Sequence, residues 1–279
     1  MIANVLTIAG SDSGGGAGIQ ADLKTFSALG AYGLSVITAL TAQNTKAVTA
    51  IHDAPPEMIA AQMDAVFSDI RVDAVKIGML SRPKVIDVVA ERLRHYEVKT
   101  IVLDPVMVAK SGDALLQPEA VSALVTKLLP LAWVITPNLP EAGVLLDRTR
   151  PSDVETMQVA AADLRALGPA AVLLKGGHLE DGDAVDIFDD GSDRQQLRGK
   201  RYLTRNTHGT GCTLSAAIAA LLGQGIALPD AARLAKDYVG RAIAAADRLD
   251  VGHGHGPVHH FHAFWQHGAN DVVAKGTDR

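Results

Sequence analysis

Short apolar runs alternate with amphipathic stretches along most of the chain, a pattern that predicts strands and helices in turn. The short runs are rich in Val, Ile and Leu and end at polar or glycine residues, as buried strands do. We predict strands at residues 5–9, 35–40, 74–77, 100–103, 133–135, 171–174, 183–189 and about 200–203. Apolar residues at helical spacing predict helices at 19–29, 56–67, 83–94, 118–129, 153–167 and 229–250, and a further helix directly after residue 212.

This order of elements predicts an α/β fold. Strands that alternate with helices form a mostly parallel sheet with right-handed crossovers, and ligands then bind beyond the carboxyl ends of the strands. No repeat or low-complexity linker interrupts the chain, so we expect residues 1–279 to form one domain. The polar residues that follow each predicted strand are therefore the candidates for chemistry.

Composition narrows the function classes. The 279 residues are 48% hydrophobic and 20% charged, which is ordinary for a globular enzyme. A net charge of −5 and a pI near 6.0 argue against a nucleic-acid-binding surface. One cysteine excludes an internal disulfide. There is no uncharged apolar run of about eighteen residues and no cleavable leader, so we expect no membrane span and a cytoplasmic location.

The stretch at 206–221 is the strongest candidate for a reactive centre. Gly209, Thr210, Gly211 and Cys212 form a glycine-broken turn that leads directly into an Ala-rich helix. Free backbone N–H groups and the helix dipole at such a turn attract an anion, including a phosphoryl group. A thiol at a helix N-terminus also has a lowered pKa, so Cys212 is a candidate base. The alternative is an ordinary helix entry with Cys212 as a small buried filler.

A second glycine-rich loop, at 10–18, follows the first predicted strand. It matches neither the dinucleotide-binding G-x-G-x-x-G pattern nor the phosphate-binding G-x-x-x-x-G-K-[ST] pattern. We interpret it as a loop that lets backbone close over a small molecule, with Asp12 and Asp22 as candidate polar contacts. The alternative is a flexible turn.

Polar side chains follow several other strands. Gln43 carries both a donor and an acceptor, the pair needed to bind the edge of an aminopyrimidine, although a strand-capping role fits equally well. Asp104 is a candidate Mg²⁺ ligand through water or a turn-forming residue before proline. Residues 46–53 are expected to form an extended excursion that covers the site or joins a partner subunit.

The next two strand ends carry an acidic and a basic residue, Glu141 and Lys175. Glu141 follows Asn138 by three residues, so a helix that starts near Pro140 places this carboxylate in its first turn, where it either faces a metal or only caps the helix. Lys175 stands beside two glycines and can reach a nucleotide phosphate as a point charge. The histidine-rich tail at 253–262 lacks the partners of a zinc site, and we favour a docked chain end.

Taken in order, these motifs resemble the ribokinase-like kinases of vitamin metabolism, and most closely the hydroxymethylpyrimidine/phosphomethylpyrimidine kinases of thiamine biosynthesis. The likeness covers nearly the whole length. The segments that carry it are the glycine-rich loop, the strand ends described above, the Asn-Thr-His-Gly-Thr-Gly-Cys turn and the Gly-Pro-Val-His-His-Phe-His tail, at 9–25, 42–45, 76–80, 103–107, 136–142, 174–178, 206–212 and 256–262.

The resemblance implies a ribokinase-like three-layer αβα sandwich with a central, mostly parallel sheet. It also implies ATP- and Mg²⁺-dependent phosphorylation of 4-amino-5-hydroxymethyl-2-methylpyrimidine to its monophosphate and then to the diphosphate. The implied catalytic residues are Gly209, Thr210, Gly211 and Cys212, and the implied substrate-binding residues are Gln43, Asp22, Gly10, Met79 and Val106. The implied ATP-binding residues are Lys175, Asn138, Glu141 and Thr207, and the implied metal ligands are Asp104 and Glu141.

Two departures and two alternatives accompany the resemblance. Sugar kinases of this fold commonly end the anion-binding turn with Asp, whereas Cys212 stands here, which leaves the identity of the base open. Ser13-Gly14 replaces a Pro-Ser pair that relatives often carry. A pyridoxal kinase with the same ATP site is the alternative enzyme, and a vitamin-binding module without activity is the alternative from another class. A homodimer is expected from the resemblance alone.

Overall fold

The computed structural model describes residues 1–107, 116–177, 179 and 182–265. Within these ranges eight strands form one sheet and two further strands form a hairpin. The strands are β1 (Asn4–Ala9), β2 (Tyr32–Ile37), β3 (Ala39–Gln43), β4 (Val48–Asp53), β5 (Ala74–Ile77), β6 (Ile101–Leu103), β7 (Val134–Ile135), β8 (Ala171–Leu174), β9 (Ala184–Asp189) and β10 (Arg194–Gly199). The large sheet has the order β10-β9-β8-β7-β6-β5-β1-β2, and β3 pairs with β4.

The large sheet is mostly parallel, as predicted. The six strands from β8 to β2 pair in parallel, whereas β9 and β10 are added in antiparallel orientation at one end. The parallel strands consist almost entirely of buried residues because helices cover both faces of the sheet. Their carboxyl ends therefore meet at one edge, where the candidate site residues follow.

The described helices are α1 (Gly18–Ala28), α2 (Pro56–Phe67), α3 (Pro83–His95), α4 (Pro118–Ala123), α5 (Leu139–Leu145), α6 (Val154–Ala166), α7 (Thr210–Gly223) and α8 (Leu228–Ala244). α4 continues into a π-helical turn and a 3₁₀ turn, Leu124–Leu128 and Leu129–Leu131, and a 3₁₀ turn at Ala246–Arg248 follows α8. None of the helices in the described ranges has the length and apolar character needed to cross a membrane.

Two apolar clusters, one on each face of the sheet, make the fold a three-layer αβα sandwich. Leu6 and Ile8 of β1 pack with the residues of α2, α3, α4, α5 and α6, whereas Val5 of the same strand packs with α1, α7 and α8. Alternate residues of a strand point to opposite faces, so one strand serves both clusters. The predicted α/β fold is thereby confirmed.

Two predicted strands were wrong in their bounds. The run at 35–40 is divided between two sheets, because β2 ends at Ile37 and β3 starts at Ala39. Thr38, between them, donates its N–H to the Ala9 carbonyl and its hydroxyl to the Met79 carbonyl. The last strand lies at Arg194–Gly199 rather than 200–203. As the edge strand, it exposes alternate polar side chains to solvent. A search for runs of apolar residues therefore overlooks it. Leu203, which suggested the strand, is fully exposed.

A buried ion pair joins the sheet to α1. Lys76 of β5 and Asp22 of α1 are both fully buried, with the ammonium 2.8 Å from the carboxylate. Thr7 donates its hydroxyl to the same carboxylate at 2.6 Å. Burial opposes the charge on Lys76, but the Asp22 carboxylate prevails and raises the pKa of that ammonium above its usual value. Each charge therefore depends on the other for its stability inside the protein.

We predict that Lys76→Met strongly destabilises the fold, because it leaves the Asp22 carboxylate buried without a cation. Removal of one partner of a buried pair costs about 3–5 kcal/mol, which urea unfolding would measure. The matched control is Lys127→Met, which removes the cation of a half-exposed pair with Asp87 at 2.6 Å and costs about 1 kcal/mol or less. Equal losses in the two variants would contradict the prediction.

Candidate active site

Two glycine-rich loops touch at the carboxyl edge of the sheet. We call residues 10–18 the glycine loop and residues 206–212 the anion loop. Gly209 is the residue before α7, has a φ of +78°, and lies so close to Gly16 that a Cβ atom on it would overlap the Gly16 carbonyl oxygen. Only glycine combines the left-handed conformation with this close approach. The contact places the free N–H groups at the start of α7 beside the glycine loop.

The first turn of α7 is further held by the residues around it. Thr207 accepts hydrogen bonds at its carbonyl from the backbone N–H and the hydroxyl of Thr210, at 3.3 and 2.7 Å. Thr207 thus takes part in the turn through its backbone, and its predicted contact with ATP stays a prediction. The structure shows the helix entry at this turn, and anion binding by it stays a prediction.

A cation lies beside this turn. The Lys175 ammonium is 2.9 Å from a carboxylate oxygen of Asp104, and Thr136 donates its hydroxyl to the same oxygen at 3.0 Å. A Cβ atom on Gly211 would lie 3.2 Å from the Lys175 ammonium and 3.5 Å from Asp104, so the anion loop, the cation and the acid meet at one point. Burial disfavours charge on Asp104, but Lys175 and Lys76 outweigh it and hold the pKa of Asp104 below its usual value.

A second carboxylate completes this group. Asn138 caps α5 by accepting a hydrogen bond from the Glu141 N–H at 2.9 Å, and the Glu141 carboxylate accepts from the Asn138 N–H at 2.7 Å. This reciprocal pair is a capping box. Asn138 also forms a parallel bridge with Lys175. Burial and the nearby Asp104 charge raise the pKa of Glu141 to about 7, against the opposing effect of Lys175.

The predicted acceptor side forms a separate wall. A Cβ atom on Gly10 would lie 2.6 Å from the terminal methyl of Met79, so these two residues are in contact as predicted neighbours. Gln43, at the end of β3, lies 3.4 Å from His208 of the anion loop. Val106 follows Asp104 and donates its N–H to the Asp104 carbonyl. The structure thus brings the acceptor wall against the anion loop.

Asp22 has a different environment from that of the other predicted substrate contacts. Its carboxylate is fully buried, and both oxygens are within hydrogen-bond distance of Lys76, with Thr7 donating to one of them. It joins α1 to β1 and β5. Lys76 itself was overlooked in the sequence because it stands in the middle of an apolar strand; a lysine at such a position was the available signal.

Cys212 does not have the lowered pKa that its place at a helix N-terminus suggested. The thiol keeps some exposed surface, yet the protein packed around it raises its pKa to about 11, against the opposing effect of Lys76. Burial is the largest cause of the raised pKa of Cys212, and the negative charges of Asp22 and Asp104 add to it. The side chain is therefore a neutral thiol near pH 7, and the expectation of a lowered pKa was wrong.

Asp12 and His208 form a contact that the sequence did not reveal. The Asp12 carboxylate accepts hydrogen bonds from the N–H groups of Gly14, Gly16 and Ala17 at 2.8, 3.0 and 2.8 Å. The imidazole Nε2 of His208 lies 2.8 Å from the same carboxylate. Burial raises the pKa of Asp12, but these partners prevail and lower it below its usual value. The sequence suggested Asp12 as a ligand contact, whereas in the structure its carboxylate joins the glycine loop to the anion loop.

The tail is docked against the anion loop. Gly256 accepts a hydrogen bond from the His208 N–H at 3.0 Å, and His260, which is buried, lies 3.1 Å from the Thr213 hydroxyl. In the part of the chain that the structure describes, no group of three or more His, Cys, Asp or Glu residues is arranged to hold a metal ion. The histidine that ends the motif at 174–178 lies outside the described residues.

Known proteins similar to this chain are kinases. The sequence model of the family described as phosphomethylpyrimidine kinase matches residues 12–259. The hydroxymethylpyrimidine/phosphomethylpyrimidine kinase of Rhizobium meliloti (strain 1021) is 59% identical over 266 residues, which cover 95% of this chain and 100% of that protein.

Solved structures show the same relationship. The phosphomethylpyrimidine kinase of Clostridium difficile 630 has a TM-score of 0.77 and 48% identity, covering 87% of this chain and 100% of that one. The ADP complex of Bacillus subtilis pyridoxal kinase has a TM-score of 0.87 and 38% identity, covering 93% and 98%. The fold is thus shared by kinases whose acceptors differ.

We predict that Gly209→Ala lowers kcat by about 10²–10³, the usual effect of losing one well-placed donor to a developing negative charge. The added Cβ meets the Gly16 carbonyl oxygen and forces the first turn of α7 away from the glycine loop. The matched control is Gly225→Ala, at a φ of +83° but with nothing within 4 Å of the new Cβ. If both variants keep wild-type kcat in a phosphoryl-transfer assay, the anion loop does not act as described.

We also predict that Glu141→Gln stabilises the ligand-free protein at alkaline pH. Because the pKa of Glu141 is about 7 in the folded state against 4.5 in the unfolded chain, the folded state binds more protons between these values, and stability falls as pH rises. Ionisation thus costs the wild type on the order of 3 kcal/mol above pH 7, a cost that glutamine avoids.

Urea unfolding of both proteins, without nucleotide or metal, at about pH 5 and about pH 8 would measure this effect. The stability gain of Glu141→Gln should be present at the higher pH and small at the lower one. Glu155→Gln, at an exposed acid in the first turn of α6, is the control and should have the same effect at both pH values. A variant less stable than wild type at pH 8 would refute the assignment.

Proposed function

The chain belongs to the phosphomethylpyrimidine kinase family, and from this membership we propose its reaction and the roles of its residues. The protein is an ATP-dependent kinase of thiamine biosynthesis that phosphorylates 4-amino-5-hydroxymethyl-2-methylpyrimidine and then its monophosphate. The observation that carries the assignment of roles is the meeting of Gly211, Lys175 and Asp104 at the start of α7.

The phosphate half of the site acts by charge and position. In the first reaction the hydroxymethyl oxygen attacks the γ-phosphorus of ATP, and the bond to the ADP oxygen breaks. The turn from Gly209 to Cys212 faces the phosphoryl oxygens, on which negative charge is spread in the transition state. Its donors are the N–H groups of Gly211 and Cys212, since the Thr210 N–H is bonded to the Thr207 carbonyl. Lys175 adds a positive charge at the same place. In the second reaction a phosphate oxygen of the monophosphate takes the part of the hydroxyl.

The acceptor half orients the pyrimidine. Gln43 offers the amide donor and acceptor that match the amino group and ring nitrogen of the substrate. Met79 and Val106 pack near the ring, and the absence of a side chain at Gly10 leaves room for the Met79 methyl. Asp22 holds β5, which leads to Met79, through its ion pair with Lys76. Held in this way, the hydroxymethyl oxygen reaches the phosphate half at high effective concentration.

Cys212 is a poor candidate for the base that takes the hydroxyl proton. Cys212 with a pKa of about 11 is a neutral thiol near pH 7 and therefore a weak base. Phosphoryl transfer through a loose transition state makes little demand on a base, because the attacking oxygen develops little positive charge before the phosphoryl group arrives. We assign to Cys212 the shaping of the anion loop beside the acceptor.

Mg²⁺ fits the carboxylates near Lys175. Asp104 and Glu141 are buried, they raise the free energy of each other's charged form, and their oxygens are the ligand type that Mg²⁺ prefers. A divalent cation would lower that free energy. We propose that these two residues, with Asn138 as the partner that orients Glu141, hold the ion that accompanies ATP. When bound, Mg²⁺ supplies charge neutralisation on the phosphate oxygens.

The remaining features of the proposal concern the protein as a whole. We propose that residues 1–279 form one kinase domain, that the enzyme is cytoplasmic, and that it is a homodimer without a nucleic-acid or membrane partner. The exposed residues of β4, including Ile51, support the suggestion that the hairpin meets a partner subunit or covers the site.

Mass spectrometry of the products is the test of the proposed reaction. We expect the purified protein, incubated with Mg-ATP and hydroxymethylpyrimidine, to yield the monophosphate and then the diphosphate. Pyridoxal in a parallel reaction tests the alternative acceptor, which the structural likeness to pyridoxal kinase suggests. Product that stops at the monophosphate would remove the second step from the proposal. Faster turnover of pyridoxal would mean that the acceptor had been assigned wrongly.

A further inference from the structure

Lys175 is restrained at both ends, by one carboxylate at its ammonium and by another at its backbone. The ammonium lies 2.9 Å from Asp104. At the other end, the next backbone N–H in the chain, that of Gly176, donates to the carboxylate of Asp186 at 2.9 Å. Asp186 belongs to β9 and is 6% exposed. The meaning of this second contact rests on the proposed function, in which Lys175 contacts the phosphates of ATP.

The chain leaves the sheet at the contact with Asp186. β8 pairs with β9 as far as Leu174. Two residues later, the N–H of Gly176 bonds to the Asp186 side chain rather than to a strand carbonyl. The backbone also lies so close to β9 here that a Cβ atom on Gly176 would overlap the Val185 carbonyl oxygen. The Asp186 carboxylate therefore holds the point at which Lys175 departs from the sheet.

A cation from α8 fixes the direction of the Asp186 carboxylate. The Lys236 ammonium lies 2.7 Å from Oδ2 of Asp186, whereas the Gly176 N–H bonds to Oδ1. Lys236 also donates to the Ala184 carbonyl at 2.8 Å, so it contacts β9 at two points. Both partners of the carboxylate only donate, and an ionised carboxylate only accepts. Each hydrogen bond of this group therefore has a determined direction.

We infer that Asp186, supported by Lys236, is a positioning residue for phosphoryl transfer, because it holds the backbone from which Lys175 extends. A lysine ammonium is carried on a flexible four-carbon stem, so its location depends on where the backbone is held. A phosphate of ATP competes with Asp104 for the ammonium. The anchor at Gly176 then keeps the cation beside the anion loop. Asp186 acts through Lys175 and is not itself a catalytic residue.

The test compares two double variants that both remove the charges of the Asp186–Lys236 pair. The acceptor-free variant is Asp186→Leu with Lys236→Met, which retains side chains of similar shape but offers the Gly176 N–H no oxygen. The acceptor-keeping variant is Asp186→Asn with Lys236→Met, which is equally neutral and retains one oxygen. Neither variant leaves a buried charge of this pair without its partner, so both are expected to fold. They differ in the hydrogen bond to Gly176.

Asp189→Leu is the matched control. Asp189 lies on the same strand and is 2% exposed. Like Asp186, it accepts a hydrogen bond from a glycine N–H, that of Gly191 at 2.9 Å, and it pairs with a cation, Arg194. It lies opposite Val172, at the end of β8 away from the active site. Its loss therefore disturbs the same strand without reaching Lys175.

We expect the acceptor-free variant to lower kcat/KM for ATP about tenfold, a change of about 1.4 kcal/mol, with a change of less than about threefold in the KM for hydroxymethylpyrimidine. The acceptor-keeping variant should recover most of this loss. Asp189→Leu should lower the free energy of unfolding in urea but change both kinetic parameters less than about twofold, because its site is independent of the active site.

Binding of a non-hydrolysable ATP analogue, measured by calorimetry, tests whether the effect passes through Lys175. Lys175→Met by itself should weaken this binding. When the acceptor-free substitutions are added to Lys175→Met, they should weaken it little further, since no ammonium is left to position. Fully additive losses would overturn the inference, because they would indicate a general distortion of the nucleotide site.

The remaining outcomes separate this inference from the proposed function. Unchanged ATP kinetics in the acceptor-free variant, or equal losses in the two double variants, would refute the role of Asp186 alone. Unchanged binding of the analogue in Lys175→Met would contradict the proposed contact of Lys175 with ATP and would overturn the inference with it. A wild type that does not phosphorylate the pyrimidine would contradict the proposed reaction, while binding of the analogue would still decide the role of Asp186.

Discussion

The close approach of two backbones, at Gly16 and Gly209, is the constraint on which the rest of the site depends. There is no room for a side chain at this contact, so the start of α7 can lie directly over the carboxyl edge of the sheet. The Asp12 carboxylate then joins the loops, since it accepts from the glycine loop and from His208. Chain segments 196 residues apart in sequence thereby lie against each other at the carboxyl edge of the sheet.

The charges of the site are arranged at a cost to stability. Glu141 and Asp104 are buried near each other, with Lys175 as a nearby cation, and the pKa of Glu141 rises to about 7 as a result. By contrast, the buried charges of Asp22 and Lys76 neutralise each other. The first group keeps an excess of negative charge, as the proposed Mg²⁺ site requires, whereas the second pair is balanced and joins α1 to β5. Function and stability are thus divided between two neighbouring sets of charges.

The two halves of the site also differ in what they determine. The fold and the phosphate half are compatible with kinases of different acceptors, as the likeness to a pyridoxal kinase shows for the fold. In our proposal the acceptor is selected by few side chains, of which Gln43 binds the ring because its amide carries both a donor and an acceptor.

The local pattern of apolar and polar residues by itself predicted most of the helices and strands. It also predicted which strands are followed by polar residues. Buried parallel strands are apolar throughout, and the capping box of Asn138 and Glu141 has a local spacing, so both could be read from the sequence. The edge strand β10 could not, because half of it faces solvent. Only the tertiary structure decided that Asp22 pairs with Lys76, that Asp12 meets His208, and that Cys212 stays a thiol. These depend on burial and on charges from distant segments, and neither quantity is a property of the neighbouring residues in the chain.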